Sequence, residues 1–262
     1  AASDVYKRQR DFPADEYLLF ATAHGMIKKT AFDAYKNVRS NGLIAINLKD
    51  GDELISVKRV AKGEKVIMVS SAGKAILWDE SEARAMGRGT MGVRGMNVPA
   101  DAHVLGMEIA KPGTDLFVIT EKGYGKRTKI EEYPEHHRGG QGVYTITMTH
   151  KKGLLSVMKI VGPDDEIMIV SEDGVIVRTP VKGISELGRS TQGVKVMNVA
   201  DKDKVCAVAI ASTGKKKAKK AAPADENQMG LLEEESEEGT LAIDDLDDLD
   251  DDLGDEGEAT EE

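Results

Sequence analysis

Apolar positions in this chain fall in short runs separated by turn residues, and the runs recur. Tyr17 to Thr22 is an apolar run of strand length, His24-Gly25 makes a turn, and Met26 to Thr30 returns. A polar stretch from Asp33 to Asn41 follows, and Gly42 then opens an alternating run through Leu43, Ile44, Ala45, Ile46 and Leu48. Asp50-Gly51 is a strong turn signal, after which Glu53 to Val60 reads as a further strand. One unit is therefore four short strands. The same opening recurs as Val66 to Ser70 with Ala75 to Trp78, Leu116 to Thr120 with Tyr124 to Thr128, and Ile167 to Ser171 with Val175 to Thr179. Each pair turns at a glycine, Gly73, Gly123 or Gly174, and the last unit ends near Ala211.

Between the strand-like runs lies a repeated Gly-rich element. It reads Gly87-Arg88-Gly89-Thr90-Met91-Gly92-Val93, Arg138-Gly139-Gly140-Gln141-Gly142-Val143 and Gly188-Arg189-Ser190-Thr191-Gln192-Gly193-Val194, with a degenerate version at Arg39-Ser40-Asn41-Gly42-Leu43. The closing glycines Gly42, Gly92, Gly142 and Gly193 lie about 50 residues apart. Self-similarity at that period marks a propeller or an array. Four-stranded units repeating at this length predict an all-β, propeller-like fold of about four four-stranded blades. The blades are expected over about 14–62, 63–112, 113–162 and 163–212. The WD and kelch signatures are missing, which argues against those propellers.

Charge divides the chain. Residues 213–262 hold 5 Lys+Arg against 19 Asp+Glu, which leaves 31 against 27 before them out of totals of 36 and 46. A mildly basic part over 12–212 thus carries a basic linker, Lys215 to Lys220, and a strongly acidic tail. The tail has too little apolar content to offset its ordering entropy and reads as disordered. It is either a solubilising tail or a competitor for the basic surface. Residues 1–11 match no part of the repeat. The single cysteine, Cys206, sits in a valine-rich run and fits a reducing cytoplasm. No apolar run approaches the roughly 20 residues that span a bilayer, and no secretory signal opens the sequence. A cytoplasmic protein with no membrane partner is expected.

The repeated cations suggest a ligand. Four residues past each turn glycine come Lys29, Leu77, Arg127 and Arg178, and Lys28 and Lys126 add charge next door. The Gly-rich elements bring Arg39, Arg88, Arg94, Arg138, Arg189 and Lys195. The same corner of successive units is basic, and units arranged about an axis would turn those corners into a band on the rim. Such a band suits double-stranded DNA, because spaced Lys and Arg neutralise phosphates and release counterions without reading sequence. Amides exposed at Gly-rich turns add phosphate contacts. Bending a short duplex costs on the order of 1–6 kcal/mol, which several such contacts could offset. The competing reading is an ordinary solvated surface. Neither a GxxxxGK[ST] loop nor a metal-spaced His/Cys cluster occurs, and the adjacent His136-His137 pair points apart in extended chain. No catalytic residue, metal or cofactor is expected.

At these residues the chain closely resembles the C-terminal domain family of bacterial DNA gyrase A. The matching runs are Asn41-Gly42-Leu43-Ile44-Ala45-Ile46 with Asp50-Gly51-Asp52-Glu53-Leu54-Ile55, and Arg84-Ala85-Met86-Gly87 with Thr90-Met91-Gly92-Val93-Arg94-Gly95. Gly123-Tyr124-Gly125-Lys126-Arg127-Thr128 with Glu132-Tyr133-Pro134, and Gly188 to Val194, complete the set over residues 12–211. The resemblance implies a β-pinwheel, whose propeller-like blades exchange strands, usually six in number, wrapping DNA on a basic rim. It implies a fragment holding the last four blades, without the first-blade box, the cleavage domain or its tyrosine. The box-like turn Arg138-Gly139-Gly140-Gln141-Gly142 is either a second such element or a plain blade turn. ATP and Mg2+ would be used elsewhere in the holoenzyme, an assembly with the gyrase B polypeptide and a second copy of the gyrase A polypeptide. The alternatives are the related polypeptide of topoisomerase IV and a propeller that binds proteins.

Overall fold

The computed structural model describes residues 15–37 and 42–211. Its strands are β1 (Glu16–Thr22), β2 (Met26–Ala31), β3 (Leu54–Ala61), β4 (Lys65–Ser70), β5 (Lys74–Asp79), β6 (Val93–Arg94), β7 (Val104–Ala110) and β8 (Asp115–Thr120). They continue as β9 (Tyr124–Lys129), β10 (Val143–Tyr144), β11 (Leu155–Val161), β12 (Glu166–Ser171), β13 (Ile176–Pro180), β14 (Val194–Lys195) and β15 (Val205–Ala211). Only single 3-10 turns accompany them among the described residues.

Each repeat opens on a hairpin whose turn is written in its residues. The amides of Gly25, Gly73, Gly123 and Gly174 donate to the carbonyls of Thr22, Ser70, Thr120 and Ser171. All four glycines have φ between 75° and 84°, the left-handed region that only glycine enters cheaply. The hydroxyls of Thr22, Thr120 and Ser171 accept from the amides of Met26, Tyr124 and Val175.

The sheets run β3-β1-β2-β6, then β10-β5-β4-β7, then β11-β8-β9-β14, then β13-β12-β15. The expected four strands per unit are therefore redistributed. The strand that follows each closing glycine does not join its own unit's sheet. β6 pairs with β2, β10 with β5 and β14 with β9, so each of the last three repeats lends two residues to the sheet before it. The fourth sheet has three strands among the described residues, and the run from Leu43 to Leu48 forms none. Neighbouring blades thus exchange strands, the pinwheel arrangement.

Burial explains why some runs are apolar throughout and others alternate. β4 lies between two neighbours, with Val66 and Met68 packed toward the first sheet and Ile67 and Val69 toward the third. β8 does the same with Leu116 and Val118 on one face and Phe117 and Ile119 on the other. A strand covered on both faces needs no polar side. In β12 only Ile167 and Ile169 enter a core, while Met168 and Val170 are half-buried. Successive sheets also meet along one edge, β3 beside β7, β7 beside β11 and β11 beside β15. The lent strands consequently lie at the opposite, outer edge.

Gly92 shows what the exchange demands. Its φ is 91°, and a Cβ there would sit 2.1 Å from the carbonyl oxygen of Ile27. Gly113 has φ 74° with nothing within 4 Å. Gly113→Ala should therefore cost only the left-handed penalty of roughly 1–2 kcal/mol. Gly92→Ala should cost clearly more, because backbone must also move; paired urea titrations would check the difference.

Candidate nucleic-acid interface

The cations expected on the rim separate into three groups. Lys28 and Lys126 are 0% exposed. Both sit inside strands whose equivalents in the second and fourth repeats are Ile76 and Val177. Lys126 Nζ donates to the carbonyls of Gly188 at 2.5 Å and Arg189 at 2.8 Å, and to Thr191 Oγ1 at 3.0 Å. Lys28 Nζ donates to the carbonyls of Ala45 at 2.6 Å and Arg88. Each ammonium thus closes a Gly-rich loop over the end of its sheet. The expected surface placement fails for this pair because the loop carbonyls converge there and need donors. Burial, with the Arg189 charge, pulls Lys126 down to about 8 against the opposing Glu132. Burial and then Arg88 lower Lys28.

The second group is neutralised. Lys29 is 6% exposed, forms an ion pair with Glu80, and lies over the Tyr17 ring with Nζ 4.3 Å from its centroid. Arg127 contacts Asp115 at 2.5 Å and Glu186 at 2.8 Å, and donates from Nε to the carbonyl of Ile184. Arg178 is exposed but engaged by Glu166. The equivalent residue in the second repeat is Leu77, which belongs to a core. Lys29 and Arg127 tie successive repeats together and Arg178 is engaged within its own hairpin, so the row is not the open band the sequence suggested.

The third group faces water on the lent strands. Arg94 and Lys195 are exposed, and register places Arg94 opposite Met26, Tyr144 opposite Lys74, and Lys195 opposite Tyr124. Two of these three positions pair a lysine with a tyrosine. Lys74 Nζ is 5.2 Å from the Tyr144 centroid, and Lys195 and Lys152 are 4.7 and 4.9 Å from that of Tyr124. Lys122 and Lys151 line the same recess as Tyr124 and Lys195, beside Asp201. No carboxylate forms an ion pair with Arg94, Lys74, Lys152 or Lys195 among the described residues; Arg94 bonds Asn97 Oδ1, and Lys195 the carbonyl of Lys122. Tyr144 is 58% exposed. Arg94, Tyr144 and Lys195 occupy the outer edge of three consecutive sheets, with Lys74 and Tyr124 on the strand next inside it and Lys152 on a neighbouring 3-10 turn.

Arg88 and Arg189 are half-buried at the Gly-rich loops that the two interior lysines hold. Arg39 lies outside the described residues, as does the acidic tail. The box-like turn clasps the preceding repeat. Arg138 donates from Nε to the carbonyl of Glu82 and from Nη1 to that of Arg94, both at 2.9 Å. Gly139 N donates to the carbonyl of Gly95, Gly140 accepts from Asn97, and Gln141 Oε1 accepts from Lys74. Gly142 presses on the carbonyl of Ala75, 2.2 Å from its would-be Cβ. In this setting the turn is a blade junction.

The sequence reading missed Lys74, Lys122, Lys151, Lys152, Tyr124 and Tyr144. A usable signal existed for two pairs: once the second residue after a closing glycine is set opposite the first after a turn glycine, Tyr144 meets Lys74 and Lys195 meets Tyr124. No group of His, Cys, Asp and Glu among the described residues could hold a metal ion, and no described helix is long and apolar enough to cross a membrane.

Three full sheets, strand exchange at each junction and an outer edge of unneutralised cations and aromatics define a β-pinwheel of propeller-like blades. A family model described as DNA gyrase C-terminal domain, beta-propeller, matches residues 16–61, 64–111, 114–150 and 165–212, well over half of the chain. The chain belongs to that family. It is 37% identical over 202 residues to the DNA gyrase A polypeptide of Mycobacterium tuberculosis, covering 76% of this chain and 24% of that one. It is 41% identical over 192 residues to the Deinococcus deserti counterpart, covering 71% and 24%. The solved DNA gyrase A C-terminal domain superposes with a TM-score of 0.69 at 33% identity, over 77% of this chain and 68% of that one. The C-terminal domain of DNA topoisomerase IV gives 0.72 at 27% identity, over 77% and 63%. The chain spans about a quarter of the length of the curated relatives it matches.

Lys126→Met should destabilise the protein by about 1–3 kcal/mol, since it strands buried loop carbonyls. The pH dependence has a definite sign. The folded-state value near 8 lies below the ordinary 10.5, so between the two the unfolded chain binds the proton better. The stability contributed by Lys126 therefore rises as pH climbs through that window. Urea midpoints of wild type and variant at pH 7.5 and 10 should diverge further at the higher pH.

Proposed function

We propose that this chain is the duplex-binding, DNA-wrapping C-terminal part of a DNA gyrase A polypeptide. The observation that carries the reading is the outer edge of the lent strands. There Arg94 and Lys195 are exposed, with Lys74 and Lys152 half-buried beside them, all without carboxylate partners among the described residues and next to Tyr124 and Tyr144. Cations spaced along a sheet edge contact phosphates and release counterions whatever the base sequence. Backbone amides at the Gly-rich loops extend the same surface. Contacts on successive blades favour a duplex that curves across them, offsetting its bending energy.

Such a module performs no bond chemistry of its own. Within an enzyme that also holds gyrase B and a second copy of gyrase A, it would present a DNA segment for strand passage, supporting ATP-dependent negative supercoiling in the bacterial cytoplasm. ATP and Mg2+ would act at sites elsewhere in that enzyme. The likeness to the topoisomerase IV domain supports a second reading, in which the same edge chooses the DNA substrate more than it wraps it. The higher identity to the gyrase domain, 33% against 27%, favours the first.

Arg94→Ala with Lys195→Ala in the full chain tests the assignment. Binding to a random-sequence duplex should weaken, and the slope of log K against log salt should flatten by about 0.9 per lost contact. Arg178→Ala, whose guanidinium is engaged by Glu166, should change the slope by less than one contact. A double variant with unaltered slope and affinity would remove the lent strands from the interface.

A further inference from the structure

The third repeat departs from its neighbours at one corner. Leu54 lies opposite Thr22, Val104 opposite Ser70 and Leu155 opposite Thr120, which brings the connections before those strands into correspondence. Lys151 then stands where the first two repeats have Asp50 and Ala100, and Lys152 where they have Gly51 and Asp101. The residue before the turn glycine is Lys122, against His24 and Ala72, and the residue after it is Tyr124, against Met26 and Lys74. With Lys195 on the lent strand, four lysines gather about one tyrosine. The first two repeats build the same turns and strands without such a set, so the scaffold does not require it.

These side chains enclose a recess of about 230 Å³, lined by Lys122, Tyr124, Lys151 and Lys195 together with Val199 to Asp201. An ammonium offers three donors, and those of the recess are largely uncommitted. Lys195 Nζ donates to the carbonyl of Lys122 at 3.2 Å, and Lys152 Nζ to the carbonyls of Gln192 and Gly193 at 3.2 and 3.3 Å. Lys122 and Lys151 are exposed, and their ammoniums bond nothing among the described residues. Glu121, the carboxylate next to Lys122, is engaged by Lys204 at 3.4 Å. Asp201 is exposed and forms no ion pair among the described residues. Like charges gathered this closely repel one another, and an anion placed between them relieves the repulsion.

Size and charge select the ligand. The recess falls below the roughly 300–1,000 Å³ of sites for drug-sized organic molecules. A DNA strand offers such a pocket one phosphodiester, with a single charge. Three lining ammoniums and a fourth beside them exceed that charge. A condensed phosphate chain brings several charges, and acceptor oxygens for charge-assisted hydrogen bonds, into the same volume. We propose that the recess binds a free oligophosphate, a short chain of phosphoryl groups. Lys122 and Lys151 grip it from two separate turns, and the Tyr124 ring steadies Lys152 and Lys195 beside it. The bound chain occupies the blade edge that carries Lys195 and so displaces duplex there; that displacement, unlike the binding itself, rests on the function proposed above.

Titration calorimetry of the full 262-residue chain with inorganic tripolyphosphate tests the site. Tripolyphosphate should bind at a single site, more tightly than orthophosphate at equal ionic strength. Lys122→Gln with Lys151→Gln should weaken it about tenfold or more. Lys62→Gln with Lys111→Gln removes the same charge from exposed turns at the far ends of the strands, and should change the affinity by less than about twofold. Asp201→Asn, which deletes the carboxylate of the lining, should tighten binding. Absence of binding, or equal weakening by the two double variants, would overturn the proposal. Competition separates the two sources of phosphate. At fixed ionic strength, tripolyphosphate should weaken duplex binding by the wild-type chain more than by the Lys122→Gln, Lys151→Gln chain. Duplex binding that needs both lysines, in a chain that tripolyphosphate does not bind, would give the recess to DNA and overturn the proposal. Tripolyphosphate bound through these lysines by a chain with no affinity for duplex would uphold the site and remove the function proposed above.

Discussion

Contact between one backbone and another, at glycines that have no side chain to interpose, governs this structure. Gly92, Gly142 and Gly193 each bring a departing chain within reach of the strand before it, and the next two residues add to that strand's ladder. The consequence is a chain of dependencies. The first sheet is completed only when the second repeat has turned, the second only when the third has, as in arrays whose units contact only their neighbours. Burial follows the same order, because β4 and β8 are apolar on both faces only where a sheet stands on either side.

The distribution of charge obeys that constraint. A cation at a blade junction is enclosed by the next repeat and must find a partner there, since an unpaired buried charge is costly. Lys29 has Glu80, and Arg127 has Asp115 and Glu186. Lys28 and Lys126 are met by carbonyls of the Gly-rich loops instead. A cation on a lent strand has water on one side and meets no such demand. Position in the joint, more than residue type, decides whether a positive side chain is scaffold or surface.

The hairpins, the period and the turn glycines were legible in the residues because each rests on local chemistry, Thr22 and Gly25 being enough to specify a turn. Which sheet receives the strand after Gly92 was not legible, because two-residue strands carry no periodicity and the choice is made by a carbonyl 65 residues earlier in the sequence, that of Ile27. The surface reading of Lys28, Lys29 and Lys126 failed for a related reason. Positive charge reads as exposed until the equivalents Ile76, Leu77 and Val177 are set beside it, and those apolar residues mark an interior position. The clustering of Tyr124 with Lys152 and Lys195 depends on register between repeats and could not be seen in either alone.

The lent strands join through their main chain and turn the side chain of the second residue outward, where its contacts are with neighbouring surface groups. Arginine, tyrosine and lysine fill that place in the three lent strands. Architecture and surface chemistry are thereby uncoupled at this position. Descendants of such a scaffold can drift toward tighter, looser or altogether different adhesion by single substitutions there, with the framework beneath left undisturbed.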